Sequence, residues 1–213
     1  MAYRGMRRGQ PKRGIRKYRL RRSDRQETLQ KFLIVCEGKQ TEPNYLRCFR
    51  GPNLVVEAKG LGVSPRQLVE EALELGRQGE YDQIWCVFDR DDCSVSDFNG
   101  AVQRAVSQGV RVAYSNQAFE LWYLLHFHFY NTPMRREDYF SKLSESLPRP
   151  YEKNDPHMYD QLFWRQATAL DNAERLLRRY SPPNPGTDDP STTVHLLVRE
   201  LNRFLPETRA KRA

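Results

Sequence analysis

The sequence predicts an α/β fold: a four-stranded, mainly parallel sheet flanked by helices, with a helical C-terminal appendage and a disordered basic N-terminal arm. Three observations predict it. Short continuous apolar runs, such as Phe32-Leu33-Ile34-Val35-Cys36 and Ile84-Trp85-Cys86-Val87-Phe88, mark strands buried on both faces. Strand and helix patterns alternate four times between residues 31 and 129, as a parallel sheet with crossover helices requires. Residues 130–213 carry helical patterns and no strand signal. The chain therefore divides into an arm (1–30), an α/β core (31–129) and a helical extension (130–213).

Gly5, Gly9, Pro11 and Gly14 discourage regular structure over residues 1–26. The first strand ends at Glu37-Gly38 and leads into a helix through Pro43 to Phe49. A second strand over residues 54–58 ends near Gly60. Ser64 and Pro65 then suit the N-cap and first position of a helix whose apolar stripe is Leu68, Ala72 and Leu75, widened by Val69 and Leu73 and closed by Gly76 and Gly79. The third strand, residues 83–88, runs directly into Asp89-Arg90-Asp91-Asp92. A helix around residues 98–107 ends at Gly109, and a fourth strand covers residues 110–114. Ser115-Asn116 then precedes an apolar helix from about Ala118 to Phe129. Helical stretches are expected over residues 134–146, 157–180 and 191–205, the last capped by Ser191-Thr192-Thr193, with a loop at residues 181–186.

The net charge of +8 is concentrated at one end. Residues 1–31 hold twelve Lys/Arg against two Asp/Glu, a balance of +10, which leaves −2 for residues 32–213. Arg7, Arg8, Lys12, Arg13, Arg16, Lys17, Arg21 and Arg22 form an arm suited to polyanions, and Tyr3 and Tyr18 add stacking surfaces. A solvated tail that keeps the protein soluble is the alternative. Cys36, Cys48, Cys86 and Cys93 form no C-x-x-C pair; Cys36 and Cys86 lie within strand patterns, so neither a disulfide framework nor a zinc site is expected. No apolar run approaches the ~18–20 residues of a membrane span, and the N-terminus has no apolar h-region. The arm's Arg-rich, acid-poor character also fits a mitochondrial transit peptide, but its glycines and Pro11 oppose an amphipathic helix there. A cytoplasmic location without membrane contact is the expectation.

Two acidic features stand at strand ends: Glu37 after the first strand, and Asp89 with Asp91 after the third. In open α/β sheets, ligands bind beyond the carboxyl ends of strands where the strand order reverses. A strand order 2-1-3-4 would bring these acids together. Asp89 and Asp91, two apart, share a face if the backbone is extended. Carboxylate oxygens at such a tip suit Mg²⁺, with Mn²⁺ as a substitute, and three converging carboxylates would repel each other without a cation. These acids equally suit the N-caps of the following helices.

The flanking residues narrow the reading. Leu33-Ile34-Val35-Cys36-Glu37-Gly38 resembles the first Toprim motif, and Val87-Phe88-Asp89-Arg90-Asp91-Asp92 its second, with one strand–helix unit between them. Val35-Cys36-Glu37-Gly38-Lys39-Gln40-Thr41-Glu42-Pro43-Asn44-Tyr45, Tyr114-Ser115-Asn116-Gln117-Ala118-Phe119-Glu120-Leu121-Trp122 and Pro190-Ser191-Thr192-Thr193-Val194-His195 resemble segments of the RloB-like proteins, over about residues 30–202. The family often has Pro where Gln117 stands here. The resemblance implies a Toprim, Rossmann-like core, a role in bacterial or archaeal antiphage defence, and an ABC-type ATPase encoded alongside as partner. By position it makes Glu37 a general acid/base or metal-site residue and Asp89 and Asp91 the metal pair, with Asp92 able to replace one of them.

Further candidates are Glu120, Asn116 and Lys153. Glu120, near the start of the helix after strand four, suits either the helix dipole or a fourth carboxylate of the metal site. Asn116 suits a helix cap or a phosphate contact. Lys153 suits a surface lysine or a cation beside the reacting phosphate. His126 and His128 do not share a helix face, and His157 and His195 have no visible partner. The expected activity is metal-dependent phosphodiester hydrolysis of DNA or RNA. Its rivals are an Asp-x-Asp phosphatase, whose acid pair would follow the first strand, and a non-catalytic adaptor for nucleic acid or an ATPase.

Overall fold

The computed structural model describes residues 28–206. The basic arm expected at Arg7 to Arg22 and the basic tail at Arg209 to Arg212 lie outside the described residues.

The chain runs β1 (Gln30–Cys36), α1 (Thr41–Leu46), β2 (Leu54–Gly60), α2 (Pro65–Gln78), β3 (Gln83–Asp89), α3 (Val95–Ser107), β4 (Arg111–Asn116) and α4 (Glu120–Leu124). It continues through α5 (Arg136–Ser146), α6 (Met158–Leu162), a 3₁₀ turn (Phe163–Arg165), α7 (Gln166–Leu177), β5 (Ser191–Thr192) and α8 (Val194–Asn202). The sheet order is β2-β1-β3-β4-β5. The first four strands are parallel, so the expected order 2-1-3-4 holds, and the order reverses between β1 and β3.

The fifth strand corrects the sequence reading. Ser191 and Thr192 pair antiparallel with Asn116 and Ser115. Only Thr193 is left as N-cap of α8, and its hydroxyl accepts from the Tyr114 backbone N–H at 2.9 Å rather than capping the helix. Two residues are too few to display a period, which is why this edge had no signal. It pairs residues 115–116, at the tip of β4, so that this edge of the sheet is fixed by backbone hydrogen bonds.

Side chains alternate across the pleat, and each face has its own core. Leu33, Val35, Cys86 and Phe88 pack on α2 and α3 with Leu68, Val69, Phe98 and Ala101. Phe32, Ile34, Trp85 and Val87 face the other way, into a larger core shared with Tyr45, Trp122, Tyr139, Leu162, Ala173 and Leu197. The helices beyond residue 130 therefore cover one face of the sheet. Cys36 and Cys86 are buried free thiols, as their strand positions predict.

Local chemistry sets the helix bounds. Pro65 opens α2 behind Ser64, whose backbone N–H donates to the Gln67 side chain at 3.4 Å. Gly76 lies inside α2 and Gly79 is its C-cap. Helix α3 starts earlier than expected because the Ser94 hydroxyl accepts from the Asp97 N–H at 3.1 Å. The apolar stretch from residue 118 is helical only to Leu124. Residues 118–126 are buried on every side, so no periodicity could mark the end. The stretch 157–180 breaks at the 3₁₀ turn, where buried Phe163 and Gln166 have the three-residue spacing that such a turn aligns.

Candidate functional site

A cavity of about 480 Å³ opens beyond the carboxyl ends of β1 and β3, at the point of order reversal. It is lined by five carboxylates, Glu37, Glu42, Asp89, Asp91 and Glu120, and by three cations, Lys39, Arg136 and Lys153.

Register places the first two acids. Cys36 pairs with Val87, and the Glu37 N–H donates to the Val87 carbonyl at 2.8 Å, so Glu37 leaves its strand beside Asp89. Its Oε2 then accepts from the Asp89 backbone N–H at 3.0 Å. The Asp89 Oδ2 accepts from the Phe119 N–H at 3.1 Å, ahead of α4, while its Oδ1 is buried without a hydrogen-bond partner. Asp89 thus supports the helix after β4 rather than the one after β3, with one oxygen to spare.

Asp91 reaches the cavity differently from the expectation. The strand stops at Asp89, and Asp91 sits in a left-handed turn with φ of 38°. Two-residue alternation does not operate there; the turn itself returns the carboxylate to the cavity. Asp92, next along, is exposed and does not line the cavity. Glu120, the first residue of α4, is 3% exposed and accepts from the Tyr151 hydroxyl at 3.0 Å.

Glu42 and Arg136 are the residues that the sequence reading passed over. Glu42 lies in the first turn of α1, is 4% exposed, and has Oε2 buried without a partner. Its Oε1 accepts from the Gly38 N–H at 3.2 Å. A Cβ at position 38 would overlap the Glu42 carboxylate, which explains the glycine after Glu37. A Cβ at Gly60 would likewise run into the backbone of Gly38 and Lys39 at 2.6 Å or less, so β2 must end in glycine to let the loop pass. Arg136 opens α5 and pairs with Asp91 at 3.0 Å and Asp89 at 3.7 Å.

Lys153 is brought to the cavity by its neighbour. Asn154 has φ of 71°, accepts from the Thr41 hydroxyl at 2.8 Å, and takes a hydrogen bond from Asn44 on its carbonyl at 3.0 Å. This docks the 151–155 segment on α1. Asn116 does not cap α4, whose N-cap is Phe119; it is buried and donates to the Asp188 carbonyl at 3.0 Å. His126 is buried with Nδ1 2.9 Å from the Trp122 carbonyl, and burial depresses its pKa to about 4. His195, also buried, does have a neighbour, Glu174 at 3.5 Å.

The crowding of acids has an electrostatic cost. Burial first, then Glu42 and Asp91, push the Glu37 pKa up to about 7, against the Asp89 N–H and Arg136, which lower it. Asp89 is raised well above the usual carboxylate range by burial and by Glu42, Glu120 and Glu37. Glu42 is raised by burial and by Glu120. Folded-state pKa values above the unfolded ones mean stability that is present at low pH and lost as pH rises through about 7. The buried histidines His126 and His195, lowered to about 4, act oppositely and lose stability as pH falls below their unfolded pKa. Comparing variants separates the two effects. Without divalent cations, Glu37→Gln should melt several degrees above the parent at pH 8 and level with it at pH 5. A gap that does not widen with pH would contradict the assigned burial of charge.

Among the described residues, no three His, Cys, Asp or Glu side chains form a ready-made metal cage. The donor set nevertheless fits a hard cation such as Mg²⁺, which takes one or two protein carboxylates and keeps several waters. Asp89 Oδ1 and Glu42 Oε2 are buried acceptors with nothing to bind.

A protein-family model described as RloB-like protein matches residues 32–201 of the chain. No curated protein and no solved structure matches it.

Proposed function

Because the chain belongs to the RloB-like family of Toprim proteins, we propose that it is a divalent-metal-dependent nuclease acting in antiphage defence, hydrolysing phosphodiesters of DNA or RNA. One observation carries this reading. Acids from two neighbouring strand tips meet at the order reversal, and the Glu37 carboxylate rests on the Asp89 backbone 3.0 Å away. Crowding carboxylates in this way is unfavourable for the bare protein and is relieved by positive charge.

Asp89, Asp91 and Glu37 would hold Mg²⁺ or Mn²⁺, with Glu42 and Glu120 beside them; Asp92 is exposed and not among the lining residues, and is given no part. The ion, when bound, neutralises charge at the scissile phosphate. The protein's own groups do the rest. Glu37, beside the Asp89 backbone, either completes the shell of acids around the ion or takes and gives the proton. Lys153 and Lys39 supply cations to the phosphate from the α1 side. Tyr151 orients Glu120 through its hydroxyl. The arm carrying Arg7, Arg8, Lys12, Arg13, Arg16, Lys17, Arg21 and Arg22 holds strands by their phosphates without reading sequence, and an ABC-type ATPase encoded alongside regulates the activity.

The test is cleavage of mixed DNA and RNA by the purified full chain with Mg²⁺ or Mn²⁺, with and without that ATPase. Cutting by the parent and none by Glu37→Gln supports the proposal; equal cutting by both overturns it. Gly38→Ala refines the test. The added methyl displaces the Glu42 carboxylate, so cleavage should fall ~100-fold. The fold should lose only about 1 kcal/mol, from one hydrogen bond. Unchanged cleavage would remove Glu42 from the machinery.

A non-catalytic adaptor is the second reading. It is favoured by the lack of a ready-made metal cage among the described residues and by the Arg136 ion pairs, which already neutralise Asp89 and Asp91 in part. An adaptor would bind nucleic acid or the ATPase equally well as parent and as Glu37→Gln, and neither would cut.

A further inference from the structure

Arg136 is, among the described residues, the cavity cation that forms ion pairs with the cavity's acids. Among the described residues, neither Asp89 nor Asp91 has any other ion pair. The engagement is loose. The contact with Asp89 is 3.7 Å, beyond hydrogen-bond range, and the Asp91 side chain is 40% exposed. The close contact is therefore the 3.0 Å pair with the solvent-facing Asp91, and a pair open to water on that side exchanges more readily than a buried one. The Arg136 Nε–H is meanwhile buried with no acceptor, so the guanidinium leaves a donor of its fork unspent. Its backbone is fixed, because Tyr139 and Leu143 bury the inner face of α5. A firmly anchored arginine with a loosely held, under-used guanidinium can turn without moving its helix.

We infer that Arg136 is the ligand for the substrate phosphate, and that its pairing with Asp89 and Asp91 is a resting position in which it competes with divalent cations for the same acids. This rests on the nuclease reading above and names how its site is kept silent. A guanidinium fork matches two phosphate oxygens, which the point charges of Lys39 and Lys153 cannot do. Once the two aspartates are taken by a divalent ion, the fork loses its partners and gains a phosphate within the same cavity. Loading of the acids and gripping of the substrate are thereby coupled through one side chain.

The experiment measures Mn²⁺ binding alone, by calorimetry without substrate, and then cleavage. Arg136→Gln should bind Mn²⁺ about tenfold more tightly than the parent, because the competing cation is gone. It should also cleave ~100-fold or more slowly, because the phosphate is no longer held. Arg136→Lys keeps a charge but no fork, so its Mn²⁺ affinity should stay near the parent's while cleavage still falls. Tighter metal binding with weaker cleavage is not what a merely structural residue produces. If the parent binds Mn²⁺ and Arg136→Gln binds it equally or more weakly, the role of Arg136 is overturned and the nuclease reading stands. If neither protein binds Mn²⁺ at millimolar concentration, the nuclease reading falls, and this inference with it.

Discussion

Asp89→Asn is expected to slow cleavage by about a hundred- to a thousandfold, while making the metal-free protein more stable. Both effects follow from one carboxylate. Asp89 is buried at the tip of β3, with Glu37, Glu42 and Glu120 around it raising its pKa after burial has done so. Asparagine keeps an oxygen for the Phe119 N–H, so the contact that supports α4 at 3.1 Å survives. What disappears is the charge, and with it the donor that a divalent ion requires; losing one such electrostatic element costs about 10²–10³ or more in rate. The same loss relieves repulsion among like charges and should stabilise the fold by about 1–2 kcal/mol, the usual size of a gain made at a site's expense. Single-turnover cleavage with Mn²⁺ and thermal melting in chelator measure the two effects. A variant that cuts like the parent, or that melts lower without metal, would refute the assignment.

Trp122→Ala is expected to have the largest effect on stability. Trp122 is fully buried in the larger core and meets the His126 ring edge-on at 4.8 Å. It belongs to α4, the five-residue helix that also holds Glu120 in the cavity. Truncating a buried tryptophan typically costs about 3–5 kcal/mol. Against a total stability of about 5–15 kcal/mol, that removes a large fraction of it, and near the lower bound it leaves much of the protein unfolded. Urea unfolding followed by far-UV circular dichroism should give a midpoint well below the parent's. Trp122→Phe, which keeps most of the volume, should lie between the two. A loss under about 1.5 kcal/mol for the alanine variant would contradict the full burial of Trp122 in the larger core.

What the sequence made legible is what burial and chain geometry write into it. The runs at residues 32–36 and 84–88 read as strands because both faces of the sheet are covered, so every position must be apolar. Glu37 and Asp89 were identifiable because a charged residue ending such a run has to sit at a strand tip. The Asp-x-Asp pattern of the Toprim motif points to Asp91, whereas the shared face of an extended strand does not, since a left-handed turn directs it. Glu42 was passed over because an acid in the first turn of a helix is ordinary; only the overlap with Gly38 reveals that it bends back toward Glu37. Arg136 had no local signal at all. It lies in the sequence far from the acids it meets, on a helix with a polar surface, and only tertiary packing brings it to them. The edge strand at Ser191 and Thr192 was hidden for a different reason: its identity rests on the hydrogen bonds it makes to β4 and not on its side chains.

The most direct test of the claim that these acids share a divalent ion is a crystal of the parent protein soaked in Mn²⁺, with anomalous scattering used to locate manganese. The account predicts a manganese peak in the cavity against the Asp89 carboxylate, with Arg136 drawn away from Asp89 and Asp91. A cavity empty at saturating Mn²⁺, with Arg136 still paired to both aspartates, would contradict it.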